Sequence, residues 1–381
     1  MAQRASARGG NATLTRRRWL ALSGASVLTA ALPRRAAAAA AASQPSMGAL
    51  ANAAGLRFGA FPGPKLAQAP PAYRDLFIAQ CRLLAPDLGW SRVSPTPSQH
   101  NYEVDPNAAF ATAHAMPITG AHLLWHHSMP NWFAALDRRA AEKAIVDHIT
   151  AIVSHYGKRV YSWNVVNEGI EPHDGRPDGL RNTVLLQKLG PDYLPLAFHA
   201  ARAADPQVLL VYNDFSLELA DDGTEARRRA LFAILDRLAR AGAPIDAVGL
   251  QSHLALGSFG ASFHEIVFRQ FLQELAARKL KLMISELDVL DIAAPADVAE
   301  RDRMVADAYA QFLGAALDEP AVVELVTSGL CDQYTWLNAK FGFNRPDHLP
   351  TRPLPFDTSL RPKPAFVAIV DALRQAPHRQ A

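Results

Sequence analysis

The sequence predicts the α/β class, as a single (β/α)8 barrel of the TIM type, from three observations. Beyond the N-terminal segment, short apolar runs alternate with longer amphipathic stretches, which implies parallel strands joined by helical crossovers. Eight such runs occur, and from the third onward they recur at intervals of roughly 40 residues. No Gly-x-Gly-x-x-Gly follows the first run and no Gly-x-x-x-x-Gly-Lys occurs anywhere, so an open sheet built for dinucleotides or nucleotide phosphates lacks its signature.

The first apolar run, Leu56–Ala60, reads as a strand and is followed by an amphipathic stretch at Tyr73–Gln80. Arg82–Ala85 and Asn107–Ala115 repeat the pair, and Ile118–Trp125 with Arg138–His155 repeats it again. The fourth strand, Val160–Val166, leads to a helix at Asp192–Ala204, which has to stop before Asp205-Pro206 because proline cannot continue it. Val208–Tyr212 and Thr224–Ala241 follow, then Ala247–Leu250 and Ser262–Lys279. Leu282–Ser285 and Asp297–Leu317 form the seventh unit. Val323–Thr327 is the eighth strand and Pro364–Gln375 a closing helix.

The chain has 381 residues, of which 49% are apolar, enough for a sizeable core. Two cysteines exclude a disulfide scaffold or a Cys-rich metal site, and Cys81 and Cys331 are expected to be unpaired thiols. The formal charge of +3 is local in origin. Residues 1–42 hold seven arginines and no acid: Arg4, Arg8, Arg16, Arg17, Arg18, Arg34 and Arg35. A basic start, the apolar run Trp19–Leu32 and an alanine tract have the layout of a cleaved export signal. Thr15-Arg16-Arg17-Arg18-Trp19-Leu20 resembles the twin-arginine address. The apolar run is shorter than the ~20 residues a membrane span needs. The expected organisation is therefore a twin-arginine-type signal at 1–42, a linker at 43–54 and one catalytic domain at 55–376. Without the signal, 32 basic residues face 36 acidic ones, a charge of −4 that gives no reason to expect a nucleic acid partner. The mature protein is expected to be periplasmic or extracellular, monomeric and without an integral membrane segment.

In such a barrel the chemistry sits at the C-terminal ends of the strands. The third run ends in His122-Leu-Leu-Trp125-His126-His127 and the fourth in Trp163-Asn164-Val-Val-Asn167-Glu168. The fifth ends in Tyr212-Asn213-Asp214, the sixth in Gln251-Ser252-His253 and the seventh in Ser285-Glu286-Leu287-Asp288. The eighth is followed by Asp332-Gln333-Tyr334-Thr335-Trp336. Glu168 and Glu286 end strands three units apart, where they can face each other across the barrel mouth. Two such carboxylates are what glycoside hydrolysis needs, one to protonate the leaving oxygen and one to attack or to activate water. Taken singly, either glutamate also reads as a solvated loop charge, Trp125 and Trp163 as core, and His126 or His253 as a structural histidine. The joint pattern favours the chemical reading.

These motifs resemble glycoside hydrolase family 10, the endo-1,4-β-xylanase family. Trp163-Asn-Val-Val-Asn167-Glu168 is similar to the family's W-D-V-V-N-E, with Asn164 where aspartate is usual. Ser285-Glu286-Leu287-Asp288 is similar to T-E-L-D, and His122-Leu-Leu-Trp125-His126 to H-T-L-V-W-H. The resemblance implies Glu168 as general acid/base and Glu286 as nucleophile of a retaining double displacement. It implies that Asn167 holds the hydroxyl beside the anomeric carbon and that His126 and Gln251 line the reacting-sugar subsite. His253 would bind Glu286 and be oriented by Asp288, and Trp336 would pack on the sugar. Trp125 and Tyr212 complete the expected substrate-binding set, with His122 in a supporting role. The expected partner is xylan or a related β-glycan, with neither metal nor cofactor. The rival readings are a glycosidase for another β-glycan and a non-catalytic carbohydrate-binding protein.

The resemblance fails at strand two. The family's E-N-x-x-K-W faces Ala85-Pro86-Asp87-Leu88-Gly89-Trp90, which lacks the glutamate, asparagine and lysine in the ungapped match. A two-residue deletion would let Asp87 stand for the glutamate and still supply neither of the others. Each lost hydrogen-bonding group weakens glycone binding by about 0.5–1.5 kcal/mol.

Overall fold

The computed structural model describes residues 45–338, 343 and 345–379. Eight parallel strands form the body: β1 (Arg57–Ala60), β2 (Leu83–Leu84), β3 (Ala121–Trp125), β4 (Ser162–Asn167), β5 (Leu209–Asp214), β6 (Ala247–Leu250), β7 (Lys281–Leu290) and β8 (Val322–Thr327). Their order in the sheet is β2-β1-β8-β7-β6-β5-β4-β3. The two ends meet through Ile118, which bridges in parallel to Leu84 on one side and to Val160 on the other. Thr119 N donates to Leu84 O at 3.0 Å and Leu84 N to Pro117 O at 3.1 Å. The sheet thus closes into the expected (β/α)8 barrel, which removes its edges.

The strands read as continuous apolar runs because both faces are covered, one by helices and one by the barrel interior. All six residues of β4 are buried. β1 and β2 approach so closely that a Cβ at Gly59 would stand 2.6 Å from Leu83 Cβ, which is why a glycine occupies that position. The lower interior holds a polar cluster. Thr119 Oγ1 donates to Glu324 on β8 at 2.8 and 2.9 Å and lies 2.7 Å from Ser162 Oγ.

Three differences from the sequence reading matter for the site. The described part of the expected linker is mostly a helix, Met47–Ala53, capped by Ser46 and with Met47 and Ala51 fully buried. It packs beneath the barrel against Pro364–Gln375, so the folded body starts before residue 55. Small residues suggested a linker there, but Gly48 and Ala51 are small because the helix lies close on its neighbours, and a Cβ at Gly48 would come within 2.7 Å of Arg82 Cγ. Strand β7 runs on to Leu290, past the expected end at Ser285, because a short extra strand, His253–Ala255, pairs with Asp288–Leu290 outside the barrel. Strand β3 starts at Ala121, since Gly120 with φ +67° breaks the extended run begun at Ile118.

The remaining strands and the long helices lie within a few residues of their expected positions. Cys81 and Cys331 are buried free thiols. Among the described residues no helix is long and apolar enough to cross a membrane. The proposed signal, residues 1–42, and positions 43 and 44 lie outside the described residues.

Candidate active site

Glu286 sits in the middle of β7, at the register shift between Ile284 and Leu287 where the strand passes β8. A bulge re-aims a side chain, and here it turns a carboxylate toward the barrel axis. His253 Nε2 lies 3.5 Å from Glu286 Oε2, and His253 Nδ1 lies 3.0 Å from Asp288 Oδ1. The opposite side of that pair is held by Trp336, whose Nε1 donates to Asp288 Oδ2 at 2.7 Å. Burial works to lower the His253 pKa, but Asp288 first and then Glu286 outweigh it and hold it well above its ordinary value. Burial likewise works to raise Glu286, yet the hydrogen bond and charge of His253, the nearby His122 and the Asn213 amide hold it below the usual carboxylate range. The result is an imidazolium clamped between two carboxylates, with Glu286 kept as an anion.

Glu168 follows β4 directly and adopts φ +56°, a conformation rare for a side chain of this size. Its backbone is fixed from both sides. Glu168 N donates to Asn213 O at 2.9 Å, and Arg181 Nε donates to Glu168 O at 2.8 Å. Gly169 comes next because a Cβ there would stand 3.0 Å from Tyr212 Oη and 3.2 Å from Tyr193 Oη. On the carboxylate, Asn167 Nδ2 and Gln251 Nε2 each donate to Oε1 at 3.2 Å. No hydrogen bond among the described residues reaches Oε2, which faces His126 Nδ1 at 3.9 Å. Burial, with the charges of Arg181 and His127, lowers the His126 pKa to about 3, so this imidazole is neutral.

Asn213, at the end of β5, joins the two halves. Its Nδ2 donates to Glu286 Oε1 at 3.0 Å and to Asn167 Oδ1 at 2.7 Å, while its Oδ1 accepts from Ser285 Oγ at 2.7 Å. Gly249 makes room for it, since a Cβ there would fall 2.1 Å from Asn213 Oδ1. A chain of amides therefore ties one carboxylate to the other across three strands. One carboxylate is fixed as an anion and the other keeps one oxygen free of donors.

This barrel recurs in known proteins. The family model described as "Glycosyl hydrolase family 10" matches residues 46–372. The chain belongs to glycosyl hydrolase family 10. It is 30% identical to "Endo-1,4-beta-xylanase B" of Paenibacillus barcinonensis, a match that covers 74% of this chain and 85% of the relative. It is 32% identical to "Endo-1,4-beta-xylanase A" of Fusarium oxysporum f. sp. lycopersici, over 67% of this chain and 77% of the relative. The crystal structure of native xylanase 10B from Thermotoga maritima superposes with a TM-score of 0.76 at 26% identity, covering 87% of this chain and 98% of that one. As a family 10 member the protein is a glycoside hydrolase with a single (β/α)8 barrel.

Within the family 10 barrel the structure brings together Glu168, Glu286, His126, Asn167, Gln251, His253, Asp288 and Trp336. Trp125 stands beside them, its ring centroid 5.1 Å from that of His122 and 5.3 Å from that of His127. Tyr212 is placed differently. It is fully buried and its hydroxyl donates to Asp214 Oδ2 at 2.7 Å, so it supports the turn at Gly169 from below. Asp214 in turn accepts from Ile170 N at 3.2 Å and pairs with Arg227 at 2.5 Å. Sequence reasoning missed Asn213, Ser285 and Arg181 as site residues. Asn213 lay in plain view within Tyr212-Asn213-Asp214, but alternation along a strand does not say which of three polar neighbours points inward. At strand two, Ala85 is buried and the carboxylate of Asp87 is engaged by Arg92 and by Gly89 N at 3.2 Å.

Proposed function

We propose that this glycoside hydrolase is an exported, retaining endo-1,4-β-glycanase whose main substrate is xylan. Its relatives named as endo-1,4-β-xylanases support the substrate class. The observation that carries the mechanism is the contrast between the two carboxylates. Glu286 is held as an anion by Asn213 and by His253, which Asp288 orients, whereas among the described residues no hydrogen bond reaches Glu168 Oε2. Glu286 attacks the anomeric carbon as the proton on Glu168 passes to the leaving glycosidic oxygen, giving a glycosyl ester and a free sugar hydroxyl. Once Glu286 is esterified its charge is gone. Glu168, now ionised, takes a proton from water, whose oxygen attacks the same carbon and releases Glu286. This path needs the carboxyl groups about 5–5.5 Å apart and retains configuration. Asn167 and Gln251 are the amides placed to hold sugar hydroxyls beside Glu168, and Trp336 supplies an aromatic face.

Strand two supports a narrower statement. With Ala85, Pro86 and Gly89 in place of the family's glutamate, asparagine and lysine, and with Asp87 committed to Arg92, glycone binding is weaker here than in full-motif xylanases. Decorated xylans or other β-glycans then compete better with the linear chain. The test is a panel of soluble β-glycans with wild type, Glu168→Ala and Glu286→Ala, with product anomers followed by proton NMR. Retained turnover in either variant, or inverted products, would overturn the assignment. A kcat/KM on linear xylo-oligosaccharides equal to that of a full-motif enzyme would overturn the glycone argument. Export is tested separately by sequencing the N-terminus of the protein recovered outside the cytoplasm, where a start near residue 43 is expected.

A further inference from the structure

We propose that His126, His127 and Glu168 form an inhibitory site for a zinc-like divalent transition ion at the barrel mouth. The inhibition rests on the reading of Glu168 as acid/base; the binding site does not. Each of the three residues offers one ligand atom, and these atoms lie within 4.8 Å of one another. His126 Nδ1 and Glu168 Oε2 face each other at 3.9 Å, beyond hydrogen-bond reach. His126 Nδ1 is buried with no hydrogen-bond partner among the described residues, and Oε2 has none there either. A buried orphan nitrogen opposite a donor-free carboxylate oxygen leaves a gap that a cation fills better than either group alone.

The donor chemistry selects the ion. Two imidazoles and one carboxylate form the ligand set of an open zinc site, with the fourth position left to water. Imidazole nitrogens disfavour calcium and magnesium, which take oxygen ligands. Bonds of about 2.0–2.2 Å in tetrahedral geometry place ligand atoms about 3.4 Å apart. The His126–Glu168 gap therefore closes by about half an ångström, and His127 makes the larger movement. His127 is the exposed member, with its ring centroid 4.0 Å from that of His126. The carboxylate is already oriented by the Asn167 and Gln251 amides on Oε1, the outer support a metal ligand requires. Arg181, which donates to the Glu168 carbonyl, is paired with Glu171 at 3.3 Å, which limits its repulsion of a bound ion. An ion on Oε2 occupies the oxygen that must carry the transferred proton, so turnover stops until the ion leaves.

The test is calorimetric titration of the purified protein with zinc chloride, alongside zinc inhibition of hydrolysis of a soluble xylan with reversal by EDTA. One zinc per chain is expected to bind in competition with the glycan. His127→Ser is expected to keep the zinc-free rate, weaken zinc binding at least tenfold and raise the half-inhibiting concentration by the same factor. Glu168→Gln is expected to lose the calorimetric site. Unchanged zinc affinity in His127→Ser would overturn the proposal. The calorimetry reads the site whatever Glu168 does in catalysis, and loss of hydrolysis in zinc-free Glu168→Gln reads the catalytic role alone.

Discussion

The buried glutamate in the lower barrel makes the sharpest stability prediction. Glu324 is 1% exposed, accepts from Thr119 Oγ1 and lies near Arg57, which stacks over Tyr161 with its guanidinium 4.3 Å from the ring centroid. Burial pushes its carboxyl from the ordinary 4.5 up to about 7, although Thr119 and Arg57 pull the other way. A raised pKa means that the folded state binds the proton more tightly than the unfolded chain does. The stability tied to that proton is complete below pH 4.5 and is lost as pH rises through about 7. At about 1.4 kcal/mol for each pKa step, the loss is about 3 kcal/mol. Glu324→Gln keeps the shape and an acceptor for Thr119 but cannot ionise, so it removes this loss. Urea unfolding at pH 5 and pH 8.5 should show the variant gaining about 2.5 kcal/mol on wild type across that interval, since part of the loss has occurred by pH 5. Equal pH dependence of the two proteins would refute the reasoning, because it would mean that the glutamate titrates near its ordinary value despite its burial.

Three further outcomes are expected. Asn213→Ala removes a hydrogen bond to Glu286 and the tie to Asn167; at about 1.5–3 kcal/mol for a bond to a charged group, kcat/KM should fall roughly 10- to 150-fold on xylan. His253→Ala leaves burial to raise the Glu286 pKa without the imidazolium that lowers it, so the acid limb of the kcat/KM profile should move to higher pH, as pH-rate measurements would show. Arg301→Leu leaves the fully buried Asp291 with Arg345 at 3.9 Å in place of Arg301 at 2.6 Å, and should cost about 3 kcal/mol in chemical denaturation.

Much of the architecture was legible because it is written locally. The alternation of apolar runs with amphipathic stretches is a property of successive residues, and Asp205-Pro206 stops a helix through its own backbone chemistry. Eight units without a phosphate loop therefore pointed to a barrel, and polar groups at strand ends pointed to its mouth. Glu168 and Glu286 were legible for the same reason. Tyr212 was legible as part of a strand but not as a support for Gly169, because its role depends on Gly169, which lies in a different βα unit.

The sequence by itself determined the strand and helix alternation, the carboxylate pair and the family's motifs, since each is fixed by residue type and spacing within a short window. Only the tertiary structure decided how those groups act on one another. It made Asn213 the bridge between the glutamates because Gly249 on β6 leaves that space empty. It set Glu286 at a register shift within a long strand, because His253–Ala255 arrives from another unit to pair with the strand's end. It also turned the expected linker into a packed helix. Contacts between distant segments decide these features, and a side chain's burial and protonation follow from such neighbours rather than from its own position in the chain.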